Sequence, residues 1–290
     1  MANLKELRNK IGVIQSTRKV TSAMKLVAGV KLKKAEQKAA ASREYSSELG
    51  HIVSKIRREL LDVECELFSG RKNVRTEMLV VFASDKGLCG NFNYVVNKET
   101  SKLISEIYAR GREVRLVCVG GKLFDLLRQK LHDSKAIELE VGFYNTEHLF
   151  ENSHKLARKI ADYFMREIVD KVSIVYTKCC SAIQRKVEVR DIIPLTCEPN
   201  CDKTDTVFEP NAREVLNKIV PYNIAIQIYQ ASLESIAGEQ SSRMTSMDNA
   251  TRNADELLSD LTITCNRTRQ YKITQELVEV ISGASTIAKE

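Results

Sequence analysis

The sequence predicts an α/β chain in which long N- and C-terminal helices pair as an antiparallel coiled coil and an α/β domain with a mostly parallel sheet is inserted between them. Three observations predict it. All four prolines, Pro194, Pro199, Pro210 and Pro221, fall within one stretch of 28 residues, so nothing before Pro194 or after Pro221 obliges a helix to break. Small and apolar residues recur at steps of three and four through the first 60 positions. Between 75 and 195, apolar runs with the length of strands alternate with helical stretches.

Residues 1–60 form the first long helix. Leu4, Leu7, Ile11 and Ile14 open its seam, and Leu49, Val53, Ile56 and Leu60 close it. Between them the same register places Arg18, Thr21, Lys25, Ala28, Leu32, Ala35, Ala39, Ser42 and Ser46, so the middle of the seam is small or polar. A helix over 3–58 would be roughly 85 Å long at about 1.5 Å per residue, and a seam sustained that far implies a coiled coil.

The segment 75–195 reads as strand and helix in turn. Met78–Ser84, Val114–Gly120, Ala136–Val141, Val172–Tyr176 and Val187–Ile193 are the strands; Asn93–Arg110, Lys122–Leu131 and Thr146–Val169 are the helices. Such alternation gives a Rossmann-like, mostly parallel sheet with helices on its faces. Residues 196–210 are rich in turn formers and form a loop. The remainder, 211–290, is the second long helix, proline-free from Asn223 to about Ile287. Its middle, Gly238 to Ala250, is small and polar, which suits a helix that bridges solvent or lies against another surface.

Composition narrows the function. The longest apolar run lies around Leu79–Ala83, far short of the roughly 18–20 residues of a membrane helix. The N-terminal Met1–Glu6 carries neither a signal core nor a presequence, and eight cysteines without a CxxC or Cys/His cluster read as reduced thiols. The net charge of +7 is unevenly placed: residues 1–58 hold 14 Lys/Arg against 4 acids, residues 59–208 hold 23 of each, and residues 209–290 hold 8 against 11. The basic N-terminal helix therefore faces an anionic partner, whether nucleic acid, lipid or acidic protein. It lacks the interleaved aromatics of a nucleic-acid surface and the bulky apolar face of a membrane helix, so an acidic protein surface fits best. A basic coiled-coil nucleic-acid binder is the alternative.

No catalytic constellation stands out. Ser84-Asp85-Lys86-Gly87-Leu88-Cys89-Gly90 joins a strand to a helix, where phosphates can bind, but it matches neither GxxxxGK[ST] nor GxGxxG. It reads as a tight turn or contact loop. The four histidines show no metal-ligand spacing, and Cys197 and Cys201 read as free loop thiols that are also spaced to close a small disulfide. No cofactor and no metal is expected.

Several blocks in order resemble the gamma subunit of F-type ATP synthases: Thr17 to Ala28 with its basic continuation Lys31 to Ala35, SDKGLCGNFN at 84–93, Glu239 to Ala254, Asn266 to Gln270 and Ile273 to Ala284. The likeness covers nearly the whole chain. It implies a non-catalytic central shaft turning within a ring of alpha and beta subunits, with its α/β domain beside epsilon and the c-subunit ring. It places the chain, as a peripheral subunit, on the cytoplasmic face of a bacterial inner membrane. The resemblance further implies that Lys31, Lys33 and Lys34 meet an acidic beta loop. Arg269 and Gln270 match positions of a polar catch. Met24 and Lys25 would pack close to the Arg243 and Arg269–Glu276 regions, adding Thr274 and Glu276 to the contact set. Lys86 replaces the family's usual arginine and so cannot make a bidentate carboxylate contact.

Overall fold

The computed structural model describes residues 4–59, 68, 70–71, 73–128, 137–140, 143, 148–179, 185–195, 209 and 212–287. Its elements run α1 (Leu4–Glu59), β1 (Thr76–Phe82), α2 (Phe92–Ala109), β2 (Glu113–Val119), α3 (Gly121–Arg128), β3 (Ile137–Glu140), α4 (Leu149–Met165), β4 (Lys171–Cys179), β5 (Arg185–Ile193) and α5 (Ala212–Ile287). The chain divides into two compact units, one of Met1–Val27 with Met244–Glu290, the other of Ala28–Arg243. Cys197 and Cys201, with most of the expected 196–210 loop, lie outside the described residues.

The larger unit holds a five-stranded sheet of order β3-β2-β1-β4-β5. β1 to β4 are mutually parallel, and only β5 runs antiparallel, against β4. The expected mostly parallel sheet is therefore present. Burial explains the strand sequences: β1 is central, so Met78 to Phe82 are buried on both faces and read as a continuous apolar run. β5 is an edge strand and keeps a half-polar alternation. One face carries Leu79, Val81, Leu116, Cys118 and Val175 against Val96, Ile104 and Ile107 of α2 and Leu123 and Leu127 of α3. The alternate residues Val80, Phe82, Ile174 and Tyr176 point to the opposite face and are equally buried. There Phe82 meets Phe143 edge-on, and both share a crevice with Ser232, Ser235 and Ile236 of α5.

Two helix ends are fixed by the same device. After α2, Gly111 takes φ 71°, its N–H donates to the Tyr108 carbonyl, and the Arg112 N–H donates to that of Ile107. After α4, Glu167 takes φ 58°, donating to Phe164, while Ile168 donates to Tyr163. This pair of bonds stops a helix and turns the chain. It ends α4 at Met165, short of the Val169 expected from sequence.

A polar clamp ties the start of β1 to the segment entering β4. Arg71 Nη1 donates to Asp170 Oδ1 at 2.9 Å and Nη2 to the Phe164 carbonyl at 2.8 Å. Asp170 Oδ2 accepts the backbone N–H groups of Arg75 and Thr76 at 2.7 and 3.0 Å. The three donor groups outweigh the desolvation that opposes ionisation, and they hold the Asp170 carboxyl below its ordinary range.

The seam of α1 is where the sequence places it. Leu7, Ala28, Leu32, Ala35, Ala39, Ser42, Leu49, Val53 and Ile56 are buried, and nearly every intervening residue is exposed or half-buried. α5 begins at Ala212, at the head of the 211–290 segment, and runs through Pro221 before the proline-free stretch that starts at Asn223. Pro221 removes one N–H donor from the ladder. Packing around it carries the helix past the gap: Val220, Ile224 and Ala225 are buried, and Tyr222 stacks edge-on against both Tyr45 of α1 and Phe150 of α4.

Candidate functional site

Within the larger unit, the loop after β1 is built as a fixed contact surface. The Asn93 side chain accepts the Ser84 N–H at 3.1 Å and donates to the Ser84 hydroxyl at 2.6 Å, closing the loop on α2. Ser84 Oγ donates to the Lys86 carbonyl, and Asp85 accepts the Gly121 N–H at 2.9 Å. The Asp85 carboxylate and the Ser84 carbonyl thereby occupy the first two N–H groups of α3, and the negative charge of Asp85 disfavours a phosphate there. Leu88 takes φ 62° and is exposed, and Lys86 is exposed beside it. Cys89 is buried between Ser84 and Asn93. The loop thus presents a lysine and a leucine outward on a hydrogen-bonded base.

α5 supports that base from beneath. From Ala231 to Arg243 every residue is buried, although many are polar. This segment lies against another surface, the second of the two alternatives its composition allowed. Ser242 Oγ donates to the Cys89 carbonyl at 2.6 Å, and Arg243 Nη2 donates to the carbonyls of Lys86 and Gly87 at 3.2 Å each. Arg243 also pairs with Glu239 at 2.6 Å one turn back. Burial raises the Glu239 pKa, and Arg243 counters only part of that rise. One turn further back, Glu234 is buried and takes Arg43 of α1 at 2.9 Å. Of the expected contact residues, Arg243 is thus engaged within its own unit. Gly238, Ser242 and Asn93 were not singled out from sequence; a glycine inside a long helix was the available signal for the first.

In the smaller unit, α1 and α5 are antiparallel and joined by sparse polar contacts. Arg18 pairs with Asp255, the Thr21 and Thr251 hydroxyls lie 2.9 Å apart, and Lys25 meets Asp248 at 2.6 Å. As α1 advances, its partners on α5 retreat. Met24 and Lys25 are half-buried in this seam. They do not reach the Arg269–Glu276 region as expected: Lys25 is bonded to Asp248, and Arg269 lies 21 residues further along α5, roughly 30 Å at about 1.5 Å per residue. Arg269, Gln270, Thr274 and Glu276 are all exposed. So are several large apolar side chains of this unit, Val13, Val20, Leu26 and Val27 on α1 and Leu257, Ile263, Tyr271, Leu277 and Ile281 on α5, whereas Leu7 and Met247 are buried.

Lys31, Lys33 and Lys34 are exposed on α1 in the larger unit. Elsewhere on α1, Arg18, Lys25 and Arg43 are answered by acids of α5, which reduces the free positive charge of the N-terminal helix. Among the described residues no three metal-ligating side chains cluster. No helix of the described residues is long and apolar enough to cross a membrane.

A family model described as ATP synthase matches residues 3–287. The ATP synthase gamma chain of Sinorhizobium fredii is 35% identical over 295 residues, spanning 99% of this chain and all of the relative. That of Pelagibacter ubique is 36% identical over 293 residues, with the same shares covered. The chain belongs to the gamma-chain family of F-type ATP synthases. Solved structures agree in fold. The Euglena gracilis mitochondrial ATP synthase (OSCP/F1/c-ring) contains a chain with TM-score 0.66 at 14% identity, covering 98% of this chain and 94% of that one. The central stalk/c-ring of the Tetrahymena thermophila enzyme contains another, with TM-score 0.61 at 23% identity, covering 80% and 99%. As a gamma chain the protein is a central-stalk subunit, and the nucleic-acid alternative draws no support.

Proposed function

We propose that the chain is the non-catalytic shaft of a rotary ATP synthase, coupling rotation to conformational change at catalytic sites on neighbouring subunits. One observation carries the reading. In the smaller unit, two antiparallel helices meet along a thin seam with a few polar contacts, while many large apolar side chains face outward. Exposed apolar surface on such a scale is made to be covered. A sleeve of alpha and beta subunits would cover it, and contacts that are individually weak let the shaft turn. A shaft of this kind acts by favouring a different state of each surrounding site, which requires contacts that differ from state to state.

In this reading Lys31, Lys33, Lys34 and Lys86 face acidic loops of the beta subunits, and Arg269, Gln270, Thr274 and Glu276 make polar contacts further along the shaft. Met24 and Lys25 brace the two helices, and Arg243 anchors the loop bearing Lys86. The foot of the chain meets epsilon and the c-subunit ring. The bacterial sources of the gamma-chain relatives support a peripheral position on the cytoplasmic face of the bacterial inner membrane.

The test is MgATP hydrolysis by purified alpha and beta subunits with and without this chain. One copy should join three alpha-beta pairs and raise steady turnover, and reversing Lys31, Lys33 and Lys34 to Glu should lower it. A chain that neither joins the complex nor changes the rate refutes the shaft reading.

A further inference from the structure

The sheet winds outward in two directions from its centre: β2 and β3 lie to one side of β1, and β4 and β5 to the other. In open α/β sheets such a switch point leaves a crevice beyond the carboxyl ends of the strands, where ligands bind. Here a cavity of ≈ 230 Å³ is lined by Asn91, Phe92, Val95, Thr177, Arg185 and Val187. Its walls are the first turn of α2, which follows β1, the carboxyl end of β4 and the start of β5.

Three properties of those walls suit an anion. α2 is 18 residues long, no acidic residue stands in its first turn, and Asn91 at its N-cap makes no side-chain capping bond. The Phe92 N–H donates to the Cys89 carbonyl at 3.3 Å, but no acidic residue of the first turn offsets the positive end of the dipole. Thr177 is 4% exposed, and its hydroxyl has no hydrogen-bond partner among the described residues. Arg185 Nη1 is likewise buried and without a partner among the described residues. The exception is informative, because Arg71, Arg112 and Arg243 each meet a carboxylate. Buried donors are normally satisfied, and a charged one left unsatisfied costs more than a neutral one.

We propose that this cavity is an oxyanion site that takes a phosphate-sized ligand, held by the Arg185 guanidinium, the Thr177 hydroxyl and the head of α2. Size favours a small ligand: pockets for drug-sized ligands begin at about 300 Å³, and this half-open one holds ≈ 230 Å³. A tetrahedral oxyanion presents acceptors in several directions, matching donors that converge from a helix end and two strands. The site adjoins the 84–90 loop, which runs straight into Asn91, and its occupancy would brace α2 against the β4–β5 edge.

The test is titration of the purified full-length chain with inorganic phosphate, followed calorimetrically at low ionic strength, alongside Arg185→Gln, Thr177→Val and Lys186→Gln. Saturable binding of one phosphate is expected. Arg185→Gln should weaken it by about tenfold or more, and Thr177→Val by a smaller factor, whereas Lys186→Gln, which changes an exposed neighbour, should leave it within about twofold. ADP should compete poorly. The proposal is overturned by the absence of saturable binding at millimolar phosphate, by equal losses in the Arg185 and Lys186 variants, or by ADP binding much tighter than phosphate. If Arg185→Gln fails to fold by circular dichroism, Arg185→Lys and Thr177→Val decide, and unchanged affinity in both overturns it.

Discussion

Gly238 faces Thr177 so closely that a methyl group on its Cα would stand 3.0 Å from the threonine Cγ2 and 3.3 Å from its Cβ. The contact seats α5 on β4. An alanine there would gain about 1 kcal/mol of helix propensity, but overpacking a filled core costs about 1–3 kcal/mol. Thr177 is fixed in the sheet by its pairing with Val187 and has little room to retreat. Gly238→Ala should therefore lower stability by about 1 kcal/mol in urea unfolding. In a Thr177→Ala background the same change should become neutral or stabilising, because the obstructing methyl is gone. A stabilising Gly238→Ala in the otherwise unaltered chain would show that the contact is looser than it looks.

Arg243 and Glu239 give a prediction with a pH sign. Burial has already raised the Glu239 pKa against the opposing pull of Arg243. Arg243→Ala removes that pull, so the folded-state pKa climbs further above the unfolded value of about 4.3. A carboxyl raised in the folded state is tolerated below its unfolded pKa and costs stability as pH rises towards and through the folded one. The deficit of Arg243→Ala should thus be smaller at pH 5 than at pH 8, and Glu239→Gln in the same chain should remove the difference. A deficit independent of pH would mean that Glu239 does not titrate as its surroundings suggest. Amide exchange at Lys86–Gly90 should also quicken, since two loop carbonyls lose their donor.

Asp170 has the opposite sign. Desolvation opposes its ionisation, but Thr76, Arg71 and Arg75 outweigh it and depress the pKa. The stabilisation is present above the unfolded value of about 3.9 and fades as pH falls through the lower folded value. Asp170→Asn keeps the shape but turns an amide donor towards Arg71 or the β1 N–H groups. At pH 7 it should cost about 3 kcal/mol, the cost of breaking a buried pair. The gap between the two proteins should narrow on acidification below pH 4, measured by urea denaturation at each pH; a gap that widens there would reverse the assignment.

These three sites mark where reading the sequence stops. The strands, the seam of α1 and the mostly parallel sheet follow from periodicity, because burial on one or two faces writes itself into residue type every two or three to four positions. Seam positions such as Ala28, Leu32 and Ala35 are legible for that reason. The anchoring of the 84–90 loop is not. Asn93, Ser242, Arg243 and Asp85 act through single bonds between segments up to 157 residues apart, and such bonds impose no period. The packing that carries α5 through Pro221 is not legible either, since proline reports the local loss of a donor and not the tertiary contacts that offset it. The exposed residues Arg269, Gln270, Thr274 and Glu276 were legible only as resemblance, because a contact such as the Thr274 hydroxyl donating to the Gln270 carbonyl one turn back imposes no pattern on residue type.

The antiparallel register of the smaller unit can be tested by a covalent link. The Thr21 and Thr251 hydroxyls are 2.9 Å apart, and Thr251 also donates to the Met247 carbonyl, which fixes its side chain towards α1. Cysteines at both positions place two sulfur atoms within reach of a disulfide, which needs Cβ atoms about 3.5–4.5 Å apart. Oxidation of Thr21→Cys/Thr251→Cys should close the bridge, while Thr21→Cys paired with the native Cys265 should not, because Cys265 lies 14 residues and roughly 21 Å further along α5 at about 1.5 Å per residue. The link has a second consequence if the helices turn together as one shaft. It adds a bond inside the rotating body and none to its surroundings, so the assembled complex should hydrolyse MgATP at nearly the same rate oxidised and reduced. A bridge that forms and stops turnover, with recovery on reduction, would mean that α1 and α5 must move against each other in each cycle, which a rigid shaft does not allow.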